Sequence, residues 1–143
     1  MKDIAIVWDL NGVLFKRYIL DFNTLEIVKD LNKRGFCQYV CTNTLGWRLK
    51  QYKEKYALEK YFKRIYSTQE MGLNKTNPRV FLTLKKEIEK EILFIDDKRK
   101  NVRVAESVGI ESILYSNDFE LKENFKLLNI YDDFKGTSSK TLR

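Results

Sequence analysis

An α/β fold with a mainly parallel sheet of about five strands is predicted, on three observations. Short, β-branched apolar runs alternate with stretches of helical period, the pattern of βαβ units covered on both faces. No internal repeat, low-complexity linker or change of composition divides the chain. Three of the apolar runs end abruptly in polar residues, at Asp9, Thr42 and Asp96.

The elements follow in order. Residues 4–8 are a continuous apolar run and read as a fully buried strand. Residues 10–20 form an irregular connection with aromatic and basic residues. Asn23 with Glu26 has the form of a capping box, and Leu25, Val28 and Leu31 carry the helical period up to a stop at Gly35. A second strand, 36–41, ends in Thr42-Asn43-Thr44. Trp47, Leu49, Tyr52 and Tyr56 predict a surface helix with one aromatic, core-packing face. Residues 64–67 are a short strand. Asn77 before Pro78 predicts a helix start, with Val80, Phe81, Leu84 and Ile88 inward. Residues 92–95 run as a buried strand into Asp96-Asp97. A helix with Val102, Ala105 and Val108 inward follows, then a last strand at 112–115. Asn117 with Glu120 caps a final helix carrying Phe125 and Leu128. The expected organisation is one domain over residues 1–135, with a polar, disordered tail over 136–143.

Composition narrows the function classes. The 143 residues are 43% hydrophobic and 33% charged, a globular balance. No apolar run is long enough to span a bilayer, and no signal-peptide pattern opens the chain. The expectation is a cytoplasmic protein with no membrane role. There is no histidine, which excludes His-based zinc sites and every Ser-His or Cys-His nucleophile pair. Cys37 and Cys41 share one predicted strand, too far apart to bridge, and read as buried or half-buried thiols. The net charge of +7 is a lysine-rich solvated surface or an attraction to phosphate, including nucleic acid. No recognised nucleic-acid motif accompanies it.

In a parallel sheet, ligands bind beyond the carboxyl ends of the strands. Asp9, Thr42-Asn43 and Asp96-Asp97 all fall on that edge, and Lys75, just before a helix start, can reach it. Carboxylates hold Mg²⁺ through oxygen. A threonine hydroxyl, helix-start N–H groups and a lysine hold phosphate. One carboxylate can attack phosphorus to give an aspartyl-phosphate. Each residue alone has a plainer reading, as a turn, a helix cap or one lysine among 27 basic residues. Their order and common edge favour the chemical one. Three acids placed together repel unless a cation sits among them.

Four stretches carry a resemblance. Val7-Trp8-Asp9-Leu10-Asn11-Gly12-Val13-Leu14 looks like the first motif of the haloacid dehalogenase-like (HAD) hydrolases, usually Asp-x-Asp-Gly. Val40-Cys41-Thr42-Asn43 is similar to the second, and the stretch from Gly72 to Phe81 to that around the family lysine. Phe94-Ile95-Asp96-Asp97, with Asn101-Val102 and Gly109, resembles the fourth. The resemblance covers roughly residues 4–115. It implies a Rossmann-like three-layer sandwich with a small flap, here residues 13–20. It implies Asp9 as nucleophile and Mg²⁺ ligand, with the backbone carbonyl of Asn11 as a further ligand. Asp97 is then the acidic metal ligand, with Asp96 beside it. Thr42 and the Asn43 backbone bind the phosphoryl group, and Lys75 steadies that group and Asp9.

Two departures qualify it. Thirty-three positions separate Asp9 from Thr42, and the same number Thr42 from Lys75, so no cap domain fits. An uncapped site is open to solvent and favours a large phosphorylated substrate. Asn11 also stands where the family carries its acid–base Asp, and an amide cannot exchange a useful proton. Losing such help forfeits about 10²–10⁴-fold in rate. Acyl and aryl phosphates, whose leaving groups need no proton, then suffer least. Asn11 leaves open a slow or specialised phosphatase, a silent phosphate-binding or regulatory relative, and an introduced Asp→Asn change. The dehalogenase reaction needs no cation site, so the Asp96-Asp97 pair argues against it. A phosphorelay receiver carries its acid pair early in the chain, not late.

Overall fold

In the computed structural model, which describes residues 3–131, five strands form one parallel sheet in the order β5-β4-β1-β6-β7. They are β1 (Ile4–Trp8), β4 (Cys37–Thr42), β5 (Arg64–Ser67), β6 (Glu91–Asp96) and β7 (Glu111–Leu114). The tail expected beyond Gly136 lies outside the described residues. Two further strands, β2 (Phe15–Lys16) and β3 (Ile19–Leu20), pair antiparallel as a separate hairpin.

The order of the sheet follows from hydrophobicity. β1 is apolar on both faces and takes the centre, paired with β4 on one side and β6 on the other. Helices α1 (Phe22–Lys33), α2 (Gly46–Tyr56) and α6 (Asp118–Leu127) pack with Ile6, Trp8 and Val40 in one core cluster. Helices α4 (Pro78–Glu87) and α5 (Arg99–Ser107) pack with Ala5, Val7 and Phe94 in the other. The result is the expected α/β sandwich, helix layers on both faces. A four-residue helix, α3 (Thr68–Met71), and a single 3-10 turn at Leu58–Lys60 are too short to have left a period in the sequence. No helix among the described residues is long and apolar enough to cross a membrane.

Several local expectations hold. Asn77 caps α4 by accepting from the Arg79 N–H, with Pro78 in the first turn, and Asn117 caps α6 by accepting from the Glu120 N–H. Others need correction. The cap of α1 is Asp21, not Asn23: its Oδ1 accepts from the N–H groups of Asn23 (2.9 Å) and Thr24 (3.3 Å). The flap decides this, because the Asp21 N–H donates to Leu14 O and the Asp21 carboxylate pairs with Lys16. Glu26 turns instead to Lys29. Trp47 is not in the core. It is 57% exposed, while Leu49 and Tyr52 on the other side of α2 are buried. The strand read as 36–41 runs from Cys37 to Thr42.

Between β1 and α1 the chain makes only the β2–β3 hairpin, and between β5 and α4 only α3. No cap domain interrupts the described residues. Arg17 and Tyr18, at the hairpin tip, both lie in the left-handed region (φ 52° and 66°), the geometry of a two-residue hairpin turn.

Candidate active site

From β1 the chain winds outward through β4 and β5 and then returns to the other side of β1 for β6 and β7, so a crevice opens at the carboxyl end of β1. Asp9 leaves β1 there, and its N–H donates to Ile95 O at 2.9 Å, extending the ladder with β6 by one residue. Thr42 ends β4 and Asp96 ends β6. The strand register therefore brings together three polar residues that lie far apart in sequence.

Lys75 closes the group from the loop before α4. It is 1% exposed, and its Nζ donates to Asp9 Oδ1 at 2.6 Å and to Asp96 Oδ2 at 3.0 Å. Asn43 fixes that loop: its Oδ1 accepts from the Lys75 N–H (3.2 Å) and from Thr68 Oγ1 (2.6 Å). Thr42 Oγ1 accepts from the Thr44 N–H and shares a 2.6 Å hydroxyl contact with Thr44 Oγ1.

The acid pair divides its work. Asp96 is fully buried and its oxygens are engaged by Lys75, by the Lys98 N–H (2.9 Å) and by Asn101 Nδ2 (3.1 Å). Asp97 is different. Its Oδ1 is buried with no hydrogen-bond partner, and Lys98 Nζ stands 3.9 Å from its Oδ2. A buried carboxylate oxygen without a donor is costly and calls for a ligand. Gly12 (φ 93°) makes room for it, since a Cβ at that position would collide with the Asp97 carboxylate.

Asp9, Asp96 and Asp97 each present an oxygen within 4.8 Å of the others. Three carboxylates face one buried lysine, with the exposed Lys98 ammonium 3.9 Å from Asp97. Burial pushes Asp9 up to about 7, against the pull of Lys75, and the neighbouring Asp96 adds to the rise. Burial works to lower the Lys75 ammonium, but the Asp9 and Asp96 carboxylates hold it above its ordinary value. The remaining negative charge, the all-oxygen donor set and the orphaned Asp97 oxygen fit a hard divalent cation. Cys41 lies close by but is inert: burial pushes its thiol up to about 12.

Asn11 is held by two side chains. Its Nδ2 donates to Thr44 Oγ1 (3.1 Å) and its Oδ1 accepts from the Tyr52 hydroxyl (2.9 Å). The structure thus gathers Asp9, Asn11, Thr42, Asn43 and Lys75 around one cleft of about 300 Å³, with carboxylate oxygens of Asp96 and Asp97 within 4.8 Å of one on Asp9. It adds Tyr18, Thr44, Arg48, Lys98 and Asn101 to the cleft walls. The sequence pattern places Tyr18 only in a flap and Tyr52 only in a core face. Arg48 carried a usable signal. It lies one turn before Tyr52 on α2, and a guanidinium there marks where the buried face gives way to the crevice.

No protein-family model matches the chain. No curated protein sequence matches it either. Solved structures do. A hydrolase from Streptococcus pneumoniae TIGR4 superposes with a TM-score of 0.73 at 16% identity, over 88% of this chain and 100% of that one. A HAD-superfamily hydrolase from Ehrlichia chaffeensis gives 0.71 at 14%, over 87% and 96%. A HAD-family enzyme from Bacteroides thetaiotaomicron, in complex with magnesium and inorganic phosphate, gives 0.64 at 23%. That match covers 72% of this chain and 57% of the enzyme, so the chain spans little more than half its length. The five-stranded parallel sheet ordered around β1, with helix layers on both faces, is the fold that this chain shares with these structures.

Proposed function

We propose that this chain is a Mg²⁺-dependent phosphatase of HAD type, cleaving phosphate esters or acyl phosphates through an aspartyl-phosphate on Asp9. One observation carries the reading: Lys75 bridges Asp9 and Asp96 while Asp97 keeps a buried, unpartnered oxygen beside them. That geometry favours Asp97 over Asp96 as the direct metal ligand, together with Asp9 and the Asn11 backbone carbonyl. Mg²⁺, when bound, supplies the charge that draws a phosphoryl group against Asp9.

The chain's own groups do the rest. The Asp9 carboxylate attacks phosphorus, the bond to the leaving oxygen breaks, and water then cleaves the acyl phosphate to release inorganic phosphate. Lys75 orients Asp9 and offsets charge on the phosphoryl oxygens. The Thr42 hydroxyl and the Asn43 backbone N–H hold those oxygens, and the Asn43 side chain positions Lys75. Asp96 fixes Lys75 and the start of α5.

The test is hydrolysis of p-nitrophenyl phosphate with Mg²⁺. Asp9→Ala abolishes turnover, and Asn11→Asp raises steady-state turnover by about 10²-fold or more. No loss in the first and no gain in the second overturns these roles. A second reading, a silent phosphate-binding or regulatory module, draws on the hydrogen bonds that tie up Asn11. It predicts Mg²⁺-dependent binding of phosphate or BeF₃⁻ by calorimetry, without turnover.

A further inference from the structure

Beside the acid cleft lies a second and larger one, of about 560 Å³. The two share Tyr18 and Arg48 as a common wall. Tyr52 and Tyr56 line the second cleft, with Lys55 and Glu54 between them. Its aromatic surfaces are fixed before any ligand arrives. The Tyr52 ring stacks on Phe15, centroids 3.9 Å apart and 13° from parallel, and Tyr56 meets Phe15 edge-on at 5.4 Å. The Arg48 guanidinium lies 4.0 Å from the centre of the Tyr18 ring and 4.6 Å from that of Trp47. Such a cation–π layer offers a flat, preorganised face. Tyr18 is 59% exposed at the hairpin tip, so part of its ring is free to meet a substrate.

A second, independent observation concerns the leaving group. Residue 11 is an amide already bonded to Tyr52 and Thr44, so it has no proton to give. An alkyl ester must expel an alkoxide, which without protonation is a poor leaving group. A phenol ionises at ~10, far below water or an alcohol, so an aryl ester needs no acid. The cleft also holds two cations against one carboxylate, Arg48 and Lys55 against Glu54, a net positive charge that suits a departing phenolate.

We propose that the substrate is an aryl phosphomonoester, its ring seated in the Tyr18–Arg48–Tyr52–Tyr56 cleft. The proposal rests on the phosphatase reading and names its substrate class. The steps balance without a further reactant. An Asp9 oxygen forms the bond to phosphorus as the P–O(aryl) bond breaks, and the phenolate leaves unprotonated and takes its proton from solvent. Water then attacks the aspartyl-phosphate, its proton passes to solvent, and the Asp9 carboxylate and inorganic phosphate are released. With no base at residue 11, this second step is the slow one.

The experiment is rapid-mixing kinetics on the intact chain with Mg²⁺. The substrates are substituted phenyl phosphates, glycerol phosphate, a nucleoside 5′-monophosphate and acetyl phosphate. The expected result is a burst of phenolate close to one per chain. kcat stays level across the phenols, and kcat/KM falls as leaving-group pKa rises. Alkyl esters trail aryl esters by about 10²-fold or more in kcat/KM. Asn11→Asp removes the burst and narrows that gap. Tyr18→Ala lowers the aryl-to-acetyl ratio of kcat/KM by roughly tenfold, the scale of one ring contact, and Tyr18→Phe keeps it. A phosphotyrosine peptide preferred over phenyl phosphate assigns the ring to a protein, and parity assigns it to a small ester. Parity of aryl and alkyl esters, preference for the nucleotide, or an unchanged ratio in Tyr18→Ala overturns the proposal and leaves the phosphatase reading standing. No turnover even of acetyl phosphate overturns both.

Discussion

Two lysines in this protein each anchor a polar network, and they do so in opposite ways. Lys75 is buried and faces Asp9 and Asp96 directly, with Asp97 near and unsatisfied. Lys16, in the hairpin, has a side chain 38% exposed and donates to Val13 O (2.5 Å), Thr24 Oγ1 (2.9 Å) and Tyr115 Oη (2.8 Å). It also pairs with Asp21 at 3.1 Å, and Thr24 and Tyr115 pass the network on to Asp118. The Lys16 network is complete: each group in it has a partner. The Lys75 network has more negative charge than it can balance. The first ties the flap to α1 and to the Tyr115–Asp118 corner. The second holds a surplus of carboxylate that a proton or a cation relieves.

The difference can be broken at Lys75 first. Lys75→Met leaves buried carboxylates without their ammonium and costs about 3–5 kcal/mol of stability in chelator. Mg²⁺ recovers part of that, measured as a rise in urea midpoint. Lys16→Met, at a wetter site, costs on the order of 1 kcal/mol, and Mg²⁺ leaves that loss unchanged. Equal losses, both blind to Mg²⁺, would dissolve the contrast.

Asp9→Asn sharpens it through pH. The folded-state value of Asp9 is raised to about 7 from an ordinary 3.8, so the native, metal-free chain binds the extra proton between those limits. Stability from this group is full below about pH 4 and is lost as pH rises to about 7, because the folded state binds more protons than the unfolded one. Asparagine has no such dependence. The stability of Asp9→Asn relative to the unmutated chain therefore grows across that window, by a few kcal/mol, in urea titrations with chelator present. Parallel curves for the two proteins would remove the surplus-charge account.

The smallest expected effect belongs to the complete network. Asp21→Ala removes the α1 cap and the Lys16 pair, and costs about 1 kcal/mol at neutral pH. Burial works to raise the Asp21 carboxyl, but Lys16 and the Thr24 N–H together hold it below its ordinary value. Its contribution is therefore present above the unfolded carboxylate value and fades as pH falls through the folded one. The urea midpoints of mutant and parent converge in acid.

The same contrast explains what could be read from the sequence. Asp9, Thr42 and Asp96 were legible because each ends an apolar run, and a parallel sheet puts such ends on one edge. Lys75 was legible from its place before the Asn77-Pro78 helix start. The Lys16 network was not, since it joins Lys16 to a tyrosine 99 residues away. The cap of α1 was missed for a related reason. Asp21 and Asn23 are both good caps, and the choice between them is made by the hairpin and not by the helix. Trp47 was misassigned because it lies only two residues from Leu49, a spacing that no single face of a helix accommodates. The division of labour between Asp96 and Asp97 depends on which carboxylate meets Lys75 and Asn101, and nothing in two adjacent identical residues encodes that.

Gly12 and Asp97 show how such a site constrains its own history. The volume of a side chain at position 12 is already occupied by the carboxylate from the other turn. The two positions form an epistatic pair: a residue larger than glycine is admissible at 12 only after position 97 has shrunk. Shrinking 97 deletes an oxygen donor, so on the proposed role of Asp97 the first step along that route is a loss of metal affinity with the sheet intact. On that role, descendants of this chain would shed the proposed cation site before they shed the fold, and a glycine left behind beside a shortened residue 97 would be the trace of that order.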